Sequence, residues 1–425
     1  MAPASPPRRP GLLWNAATSI IDQAWLSALN LAVGLVLIRL TAKQDYGTYA
    51  QLYAAGLFAA TIAEALITNP LTTLASQYTP ARRAAMIAHM DRFQGRLSWG
   101  IAALFGLGCM LAVHLLQLPQ AVALGAAFAL YVKTNAMREY RRSILFIDEK
   151  ARQVLGIDLR YGAAVLAATG LLVWLGWLSV PAIFAALALA NVLALWGTAR
   201  RPAPAAGEAA GALGYAQAVA ESWRRGRLGL PGALLAWGIN YSYLYVSAAW
   251  LGAEAAADLN ASRLLLMPIS LSVVAWSRVA RPVMGAQIAA GDGAALRRLL
   301  WASVLGIELL TLAYVLALWA ALPWLQHHVL GPRYANVGPL VLVWGAYFAI
   351  YAARWVGTAL MMGADRYRYM LGVAVTSFLF MLVALLLIPR YGTLGAIMAL
   401  AAVECLSLAL VWLAGIRIVS RTAPP

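Results

Sequence analysis

Residues 370–416 read MLGVAVTSFLFMLVALLLIPRYGTLGAIMALAAVECLSLALVWLAGI. Two apolar runs, 370–388 and 393–416, are separated only by Pro389-Arg390-Tyr391-Gly392, and Glu404 is the one charged residue inside them. A helix needs about 20 apolar residues to cross the hydrocarbon of a bilayer. Each run has that length. So short a turn returns the second helix antiparallel to the first, because only a hairpin fits the connection.

Outward from this hairpin the chain holds about twelve such stretches. They run approximately over 15–39, 49–70, 97–117, 119–137, 158–178, 180–198, 229–251, 263–284, 301–321, 337–361, 370–388 and 393–416. Roughly 26 of the 32 Lys and Arg residues fall before the first, after the last, or in alternate gaps. One set of gaps carries Arg82, Arg83, Arg92 and Arg96, the basic run from Lys133 to Arg160, Arg200/Arg201, Arg224/Arg225, Arg297/Arg298 and Arg366/Arg368. The opposite set carries only Arg39, Lys43, Arg263, Arg333 and Arg390. Cytoplasmic loops retain Lys and Arg, so both termini are expected inside and the number of spans even.

The expected fold class is therefore all-α, a polytopic protein of the bacterial cytoplasmic (inner) membrane with about 12 transmembrane helices. The expected layout is a cytoplasmic tail (1–14), an N-terminal six-helix lobe (15–198) and a cytoplasmic linker (199–228). A second six-helix lobe (229–416) and a short tail (417–425) follow. Leu213 to Leu228 reads either as an amphipathic helix on the inner leaflet, with Arg224, Arg225 and Arg227 at headgroups, or as flexible linker. Arg8 and Arg9 precede an apolar run without a small-residue cleavage site, which reads as a retained first helix.

Composition agrees. Apolar residues make up 63% of the 425-residue chain and charged residues 11%, with a mean hydropathy of +0.74. That excludes a soluble enzyme of this size. The net charge of +16 is explained by loop topology and attraction to anionic membrane lipids rather than nucleic acid. Cys109 and Cys405 lie in separate apolar spans and form neither a disulfide framework nor a metal site. No phosphate loop, metal-binding His pair or nucleophile elbow is present, and His327-His328 reads as a surface turn beside Gly331 and Pro332. No catalytic, cofactor or metal residue is expected.

The halves carry a loose repeat. Asn69-Pro70-Leu71-Thr72-Thr73-Leu74 before Arg82-Arg83 matches Arg281-Pro282-Val283-Met284-Gly285-Ala286 before Arg297-Arg298, each with a proline expected to end a helix. Two six-span repeats suit alternating access around a central cavity.

Ionisable groups in hydrocarbon are costly and mark function by default. Asp22 shares a helical face with Asn15, Ser19 and Asn30, which reads as cavity lining or as helix-packing contacts. Glu64, beside Thr61, Thr68 and Thr72, reads as a proton site or as a buried protonated acid. Asp22 and Glu64 are thus the candidate ion-coupling residues, with H⁺ or Na⁺ as the ion. Asn260, Arg263, Met267, Ser270, Ser277, Arg278 and Arg281 form one broad stripe. Guanidinium forks match phosphate oxygens, although Arg263, Arg278 and Arg281 could equally snorkel to headgroups. Arg354 lies with Tyr347, Tyr351 and Thr358, a pattern suited to an anion or a sugar. Asn240 adds a polar group among Tyr241, Tyr243 and Tyr245, which also fit an interfacial belt. Glu308 and Glu404 are isolated acids without an evident partner.

Several segments carry a resemblance. Asn30, Leu37-Ile38-Arg39-Leu40 and Asp45-Tyr46-Gly47-Thr48-Tyr49 resemble the opening of polysaccharide flippases of the multidrug/oligosaccharidyl-lipid/polysaccharide exporter superfamily. Ile388-Pro389-Arg390-Tyr391-Gly392-Thr393-Leu394-Gly395-Ala396, Leu330-Gly331-Pro332-Arg333-Tyr334 and Met362-Gly363-Ala364-Asp365-Arg366 are similar to its later turns. The resemblance implies a two-lobed bundle whose cavity, lined by the first, second, seventh and eighth helices, opens alternately to either side. It implies an oligosaccharide on an isoprenoid diphosphate as cargo, with other polysaccharide-assembly proteins as partners. The diphosphate would then meet one or more of Arg263, Arg278, Arg281 and Arg354, with Asn30, Asn240 and Tyr351 toward the sugars. On that expectation Arg354→Ala abolishes export at a normal protein level. Many members of the family carry fourteen spans; this chain reads as having about twelve.

Two alternatives stay open. A drug/cation antiporter of the same superfamily needs a net acidic cavity, and the stripes above hold at least as many arginines as acids. A membrane polysaccharide polymerase or ligase needs a large outer loop, whereas the outer connections here are as short as Gln117-Leu118-Pro119.

Overall fold

A computed structural model describes residues 11–115, 120–198, 213–335 and 337–422. Among them the structure is helical throughout, with no strand. The helices are α1 (Gly11–Leu40), α2 (Lys43–Ala63), α3 (Asn69–Gln77), α4 (Pro80–Leu115), α5 (Ala121–Ile147), α6 (Ala151–Trp174) and α7 (Val180–Leu195). They continue as α8 (Tyr215–Leu251), α9 (Ala253–Ala290), α10 (Gly293–Leu325), α11 (Val337–Gly363), α12 (Tyr367–Ala384) and α13 (Ile388–Thr422).

Eight stretches among the described residues are long and apolar enough to cross a membrane. One of them, Tyr367–Ser420, is 54 residues long, about 80 Å of helix at 1.5 Å per residue and far beyond one crossing. It folds back on itself. Gly392, at φ 61° and ψ −140°, breaks α13. Tyr369 then bonds the Leu410 carbonyl at 2.7 Å and Ser377 meets Ser407 at 2.7 Å, a pairing whose midpoint lies at the turn. The 16-residue α7 falls short of the spanning length. The twelve spans remain a sequence expectation.

Several helices outrun their expected bounds. α4 begins at Pro80 and α5 runs to Ile147, so Arg82, Arg83, Arg92, Arg96, Arg138 and Arg142 sit on helices, not in loops. Arg and Lys are good helix formers, so the helix continues past the membrane-length apolar core. Pro70 and Pro282 end no helix: Pro70 opens α3 and Pro282 lies inside α9. The turn Gln117-Leu118-Pro119, residues 199–212 and parts of the two tails lie outside the described residues.

The chain divides into two compact units, residues 1–33 with 55–233, and 34–54 with 234–425. α1, α2 and α8 each contribute to both.

In the first unit α4 packs on α5, and α7 on α5 and α6. Close approach needs small residues: a Cβ on Gly106 would stand 2.6 Å from the Ala129 Cβ, and one on Gly125 2.1 Å from the Met110 Cγ. Phe128, Tyr131 and Phe184 close the core with ring centroids 5.3 Å apart for each pair that includes Phe184. Between α2 and α3 a π-turn, Glu64–Thr68, widens the helix. The α-helical donor to the Leu66 carbonyl would be residue 70, a proline with no N–H. Ser222 on α8 supplies that bond at 2.8 Å. The segment 213–228 is thus helical and docked over most of its length. From Tyr215 it is the first part of α8, and Leu213, Ala218 and Ser222 are buried. Arg82 and Tyr78 both bond Glu221.

In the second unit α11 is central, packed by α9, α10 and α13. Gly363 approaches Gly285, so that an added Cβ would meet its backbone N at 3.3 Å. At the other end, α2 meets α9 through Lys43–Asp258 at 2.8 Å and Asn260 to the Tyr46 hydroxyl at 2.7 Å.

Candidate functional site

Each unit carries its own cluster of charge. In the first, α5 places Arg138, Glu139 and Arg142 one helical turn apart, facing α1 and α6. Arg142 joins three carboxylates: Nη2 to Asp22 Oδ2 at 2.9 Å, Nη1 to Glu139 Oε2 at 2.5 Å, and Nε to Asp158 Oδ2 at 2.7 Å. Arg138 reaches Glu139 at 2.8 Å and Asp158 at 3.9 Å, and lies 3.6 Å from the centre of the Tyr161 ring. Trp25 donates to the Asp158 carbonyl at 2.9 Å and fills the space left by Gly162. Asp158 is fully buried and Asp22 nearly so. Three carboxylates face two guanidiniums, an excess of one negative charge. Asp22 Oδ1 has no hydrogen-bond partner. Glu64, exposed at the π-turn, stands in the field of Glu139 and Arg142. Asp22 and Glu64 thus belong to one electrostatic neighbourhood. Asn30 lies on the exposed face of α1.

The second unit carries two arginine sites joined by aromatic rings. Arg263 on α9 donates Nη1 to the Asn240 carbonyl at 3.1 Å and to the Tyr243 hydroxyl at 3.0 Å. Its guanidinium carbon lies 5.5 Å from the Tyr241 ring, 5.8 Å from Tyr243 and 5.5 Å from Trp344. No carboxylate lies within ion-pair distance of Arg263 among the described residues, and its Nε is buried without a partner. This is a cation among aromatic faces and hydroxyls, with unspent donor capacity. The Asn240 side chain itself turns back to the Ala236 carbonyl at 2.8 Å.

From Trp344 the rings continue through Tyr347 (5.1 Å) and Tyr351 (6.1 Å) to Trp355 (5.9 Å). Arg354 sits beside the last two, 5.5 Å from each centre. It carries an acid partner: Glu404 on α13 accepts from both Nε and Nη2. Glu404, without an evident partner in the sequence, is the mate of Arg354. Arg281 is exposed, with Nη1 3.4 Å from Met362 Sδ. It lies 18 residues from Arg263, about 27 Å along α9, too far for one ligand headgroup. The Arg278 side chain lies outside the described residues. Within the second unit the structure therefore brings Asn240 to Arg263 and Tyr351 to Arg354, and leaves Arg281 apart from Arg263.

Sequence reasoning missed Arg138, Glu139, Arg142 and Asp158, all assigned to a cytoplasmic loop or its edge. The i, i+1, i+4 spacing of Arg138, Glu139 and Arg142, following Tyr131 and Asn135 at helical spacing, was the available signal of a continuing helix with one inward face.

No family model and no curated protein matches the chain. Solved structures do. An inward-facing multidrug resistance MATE family transporter of the MOP superfamily aligns over 93% of this chain and 94% of its own, with TM-score 0.77 and 12% identity. The lipid II flippase MurJ, inward closed, aligns over 97% and 90%, with TM-score 0.72 and 10% identity. The fold is that of the MOP-superfamily transporters. A MOP-superfamily transporter from Pyrococcus furiosus, described as having a binding pocket of reverse polarity, aligns over 97% and 96% at TM-score 0.61 and 12% identity. These neighbours are transporters and a flippase, not enzymes.

Proposed function

We propose that the protein is a flippase of the bacterial inner membrane that translocates an isoprenoid-diphosphate-linked oligosaccharide for surface polysaccharide assembly, by alternating access. The observation that carries this reading is Arg263: a guanidinium held among Tyr241, Tyr243 and Trp344 with no facing carboxylate. A permanent, unopposed positive charge in a membrane helix favours a phosphate-bearing cargo and repels an organic cation. Of the adjoining rings, Trp344, Tyr243 and Tyr347 are buried, and the half-buried Tyr241, Tyr351 and Trp355 are the ones that can offer stacking faces to sugars. Asp22 and Glu64 are the proposed coupling residues for H⁺ or Na⁺, since the network around Arg142 carries one more carboxylate than guanidinium. Other polysaccharide-assembly proteins are the proposed partners.

The likeness to MATE transporters and that same carboxylate excess favour a second reading, a drug/cation antiporter. The two separate in a deletion strain complemented with wild type or Arg263→Gln. The flippase reading expects lipid-diphosphate oligosaccharide to accumulate on the cytoplasmic side of the membrane after deletion, with Arg263→Gln failing to clear it. If the lipid pool is unchanged while ethidium extrusion follows the gene, the antiporter reading holds instead.

A further inference from the structure

We propose that the end of the second unit formed by the α11–α12 turn and α13 holds a phosphate-ester site for an anionic glycerophospholipid. A cavity of about 210 Å³ there is lined by Met361, Arg366, Tyr369, Ala414, Arg417 and Ile418. Two guanidiniums stand at its rim over an apolar floor. Among the described residues neither Arg366 nor Arg417 lies within ion-pair distance of a carboxylate.

The pocket is built on fixed backbone. Asp365 adopts a left-handed conformation at φ 57°, which Asp tolerates better than most residues. The Arg366 amide then bonds the Met361 carbonyl at 3.0 Å, and the Met370 amide bonds the Arg366 carbonyl at 3.1 Å. On α13, Leu410, Ala414, Arg417 and Ile418 recur at helical spacing toward α12. The Tyr369 hydroxyl donates to the Leu410 carbonyl at 2.7 Å, so its ring serves as a wall and its proton is already used. Met361 belongs to the unit's core, with Ala414 and Ile418 packed against it.

The chemistry selects the ligand. Two arginine forks suit one phosphodiester, and the apolar floor suits the glycerol and first acyl carbons. Two guanidiniums against the single neighbouring carboxylate of Asp365, which pairs with neither of them, leave the rim net positive, so an anionic lipid is preferred over a zwitterionic one. The basic-residue distribution puts this end at the cytoplasmic leaflet, where anionic lipid attracts about 1 kcal/mol per Arg, or about fivefold in affinity. The site is independent of the transported cargo.

The test is native mass spectrometry of the delipidated full-length protein, titrated with phosphatidylglycerol, phosphatidylcholine or inorganic phosphate. The expected result is one saturable phosphatidylglycerol adduct, weaker with phosphatidylcholine, and about fivefold weaker in each of Arg366→Gln and Arg417→Gln. Arg298→Gln, a charge-matched change outside the pocket, should bind as wild type. Competition by inorganic phosphate alone would assign the same site to a free phosphate source. Should a glutamine variant melt early, Arg366→Lys and Arg417→Lys keep the charge, lose the fork and should still weaken binding. Wild-type affinity in a variant carrying both Arg366→Gln and Arg417→Gln, or equal affinity for the two lipids, overturns the proposal.

Discussion

Arg142 contacts carboxylates from three helices, so its removal leaves Asp22, Glu139 and Asp158 facing one another with only Arg138 between them. An uncompensated buried charge costs about 3–5 kcal/mol. Arg142→Gln should therefore lower the melting temperature sharply in detergent. Asp158→Asn should be tolerated much better, since it removes the excess carboxylate and leaves charges matched. A comparable melting temperature for both variants would show that charge balance does not govern this site. Arg354 invites a similar argument. From the sequence, Arg354→Ala abolishes export at normal protein level; the pair with Glu404 changes that expectation. The single change should reduce the folded yield by stranding Glu404, while Arg354→Ala with Glu404→Ala should recover it. A double-mutant cycle in thermal stability with coupling near zero would contradict the pair.

Helices pack here through glycines. Gly106 on α4 and Gly125 on α5 stand where any Cβ strikes Ala129 or Met110. Gly106→Leu should force the two helices apart and destabilise the first unit, measured as early loss of the monomer peak on heating. Gly108, with open space around its missing Cβ, should accept leucine with little change. Helix existence was legible from the apolar runs, because hydrocarbon length dictates about 20 residues per crossing. Helix ends were not. Pro80 to Arg96 and Arg138 to Ile147 are helical beyond any apolar signal, and their polar faces find partners only on other helices: Arg83 bonds the Ile147 carbonyl at 2.7 Å and Asp148 at 2.9 Å. The first part of α8 shows the same limit. Its docking depends on Pro70 leaving the Leu66 carbonyl free for Ser222, a relation between residues 156 apart.

Topology belongs to the whole molecule. With Cys109 and Cys405 replaced by serine, Lys150→Cys and Arg298→Cys should react with an impermeant thiol reagent only from the cytoplasmic side. Trp177→Cys and Tyr391→Cys should react only from the outside. Labelling of Lys150→Cys and Tyr391→Cys from the same side would break the alternating orientation that the basic residues imply.

Composition, apolar spacing and the placement of Arg and Lys were enough to establish an all-helical membrane protein and to single out Asp22, Glu64, Arg263 and Arg354. These are one-dimensional quantities, since crossing length and loop charge are read along a single chain. Which charge meets which is a different kind of fact. Asp22 with Arg142, Arg354 with Glu404, and Arg263 with Trp344 and no acid are pairs distant in sequence. Their ionic balance, and with it the contrast between a structural arginine and one free to meet phosphate, exists only once the helices have packed.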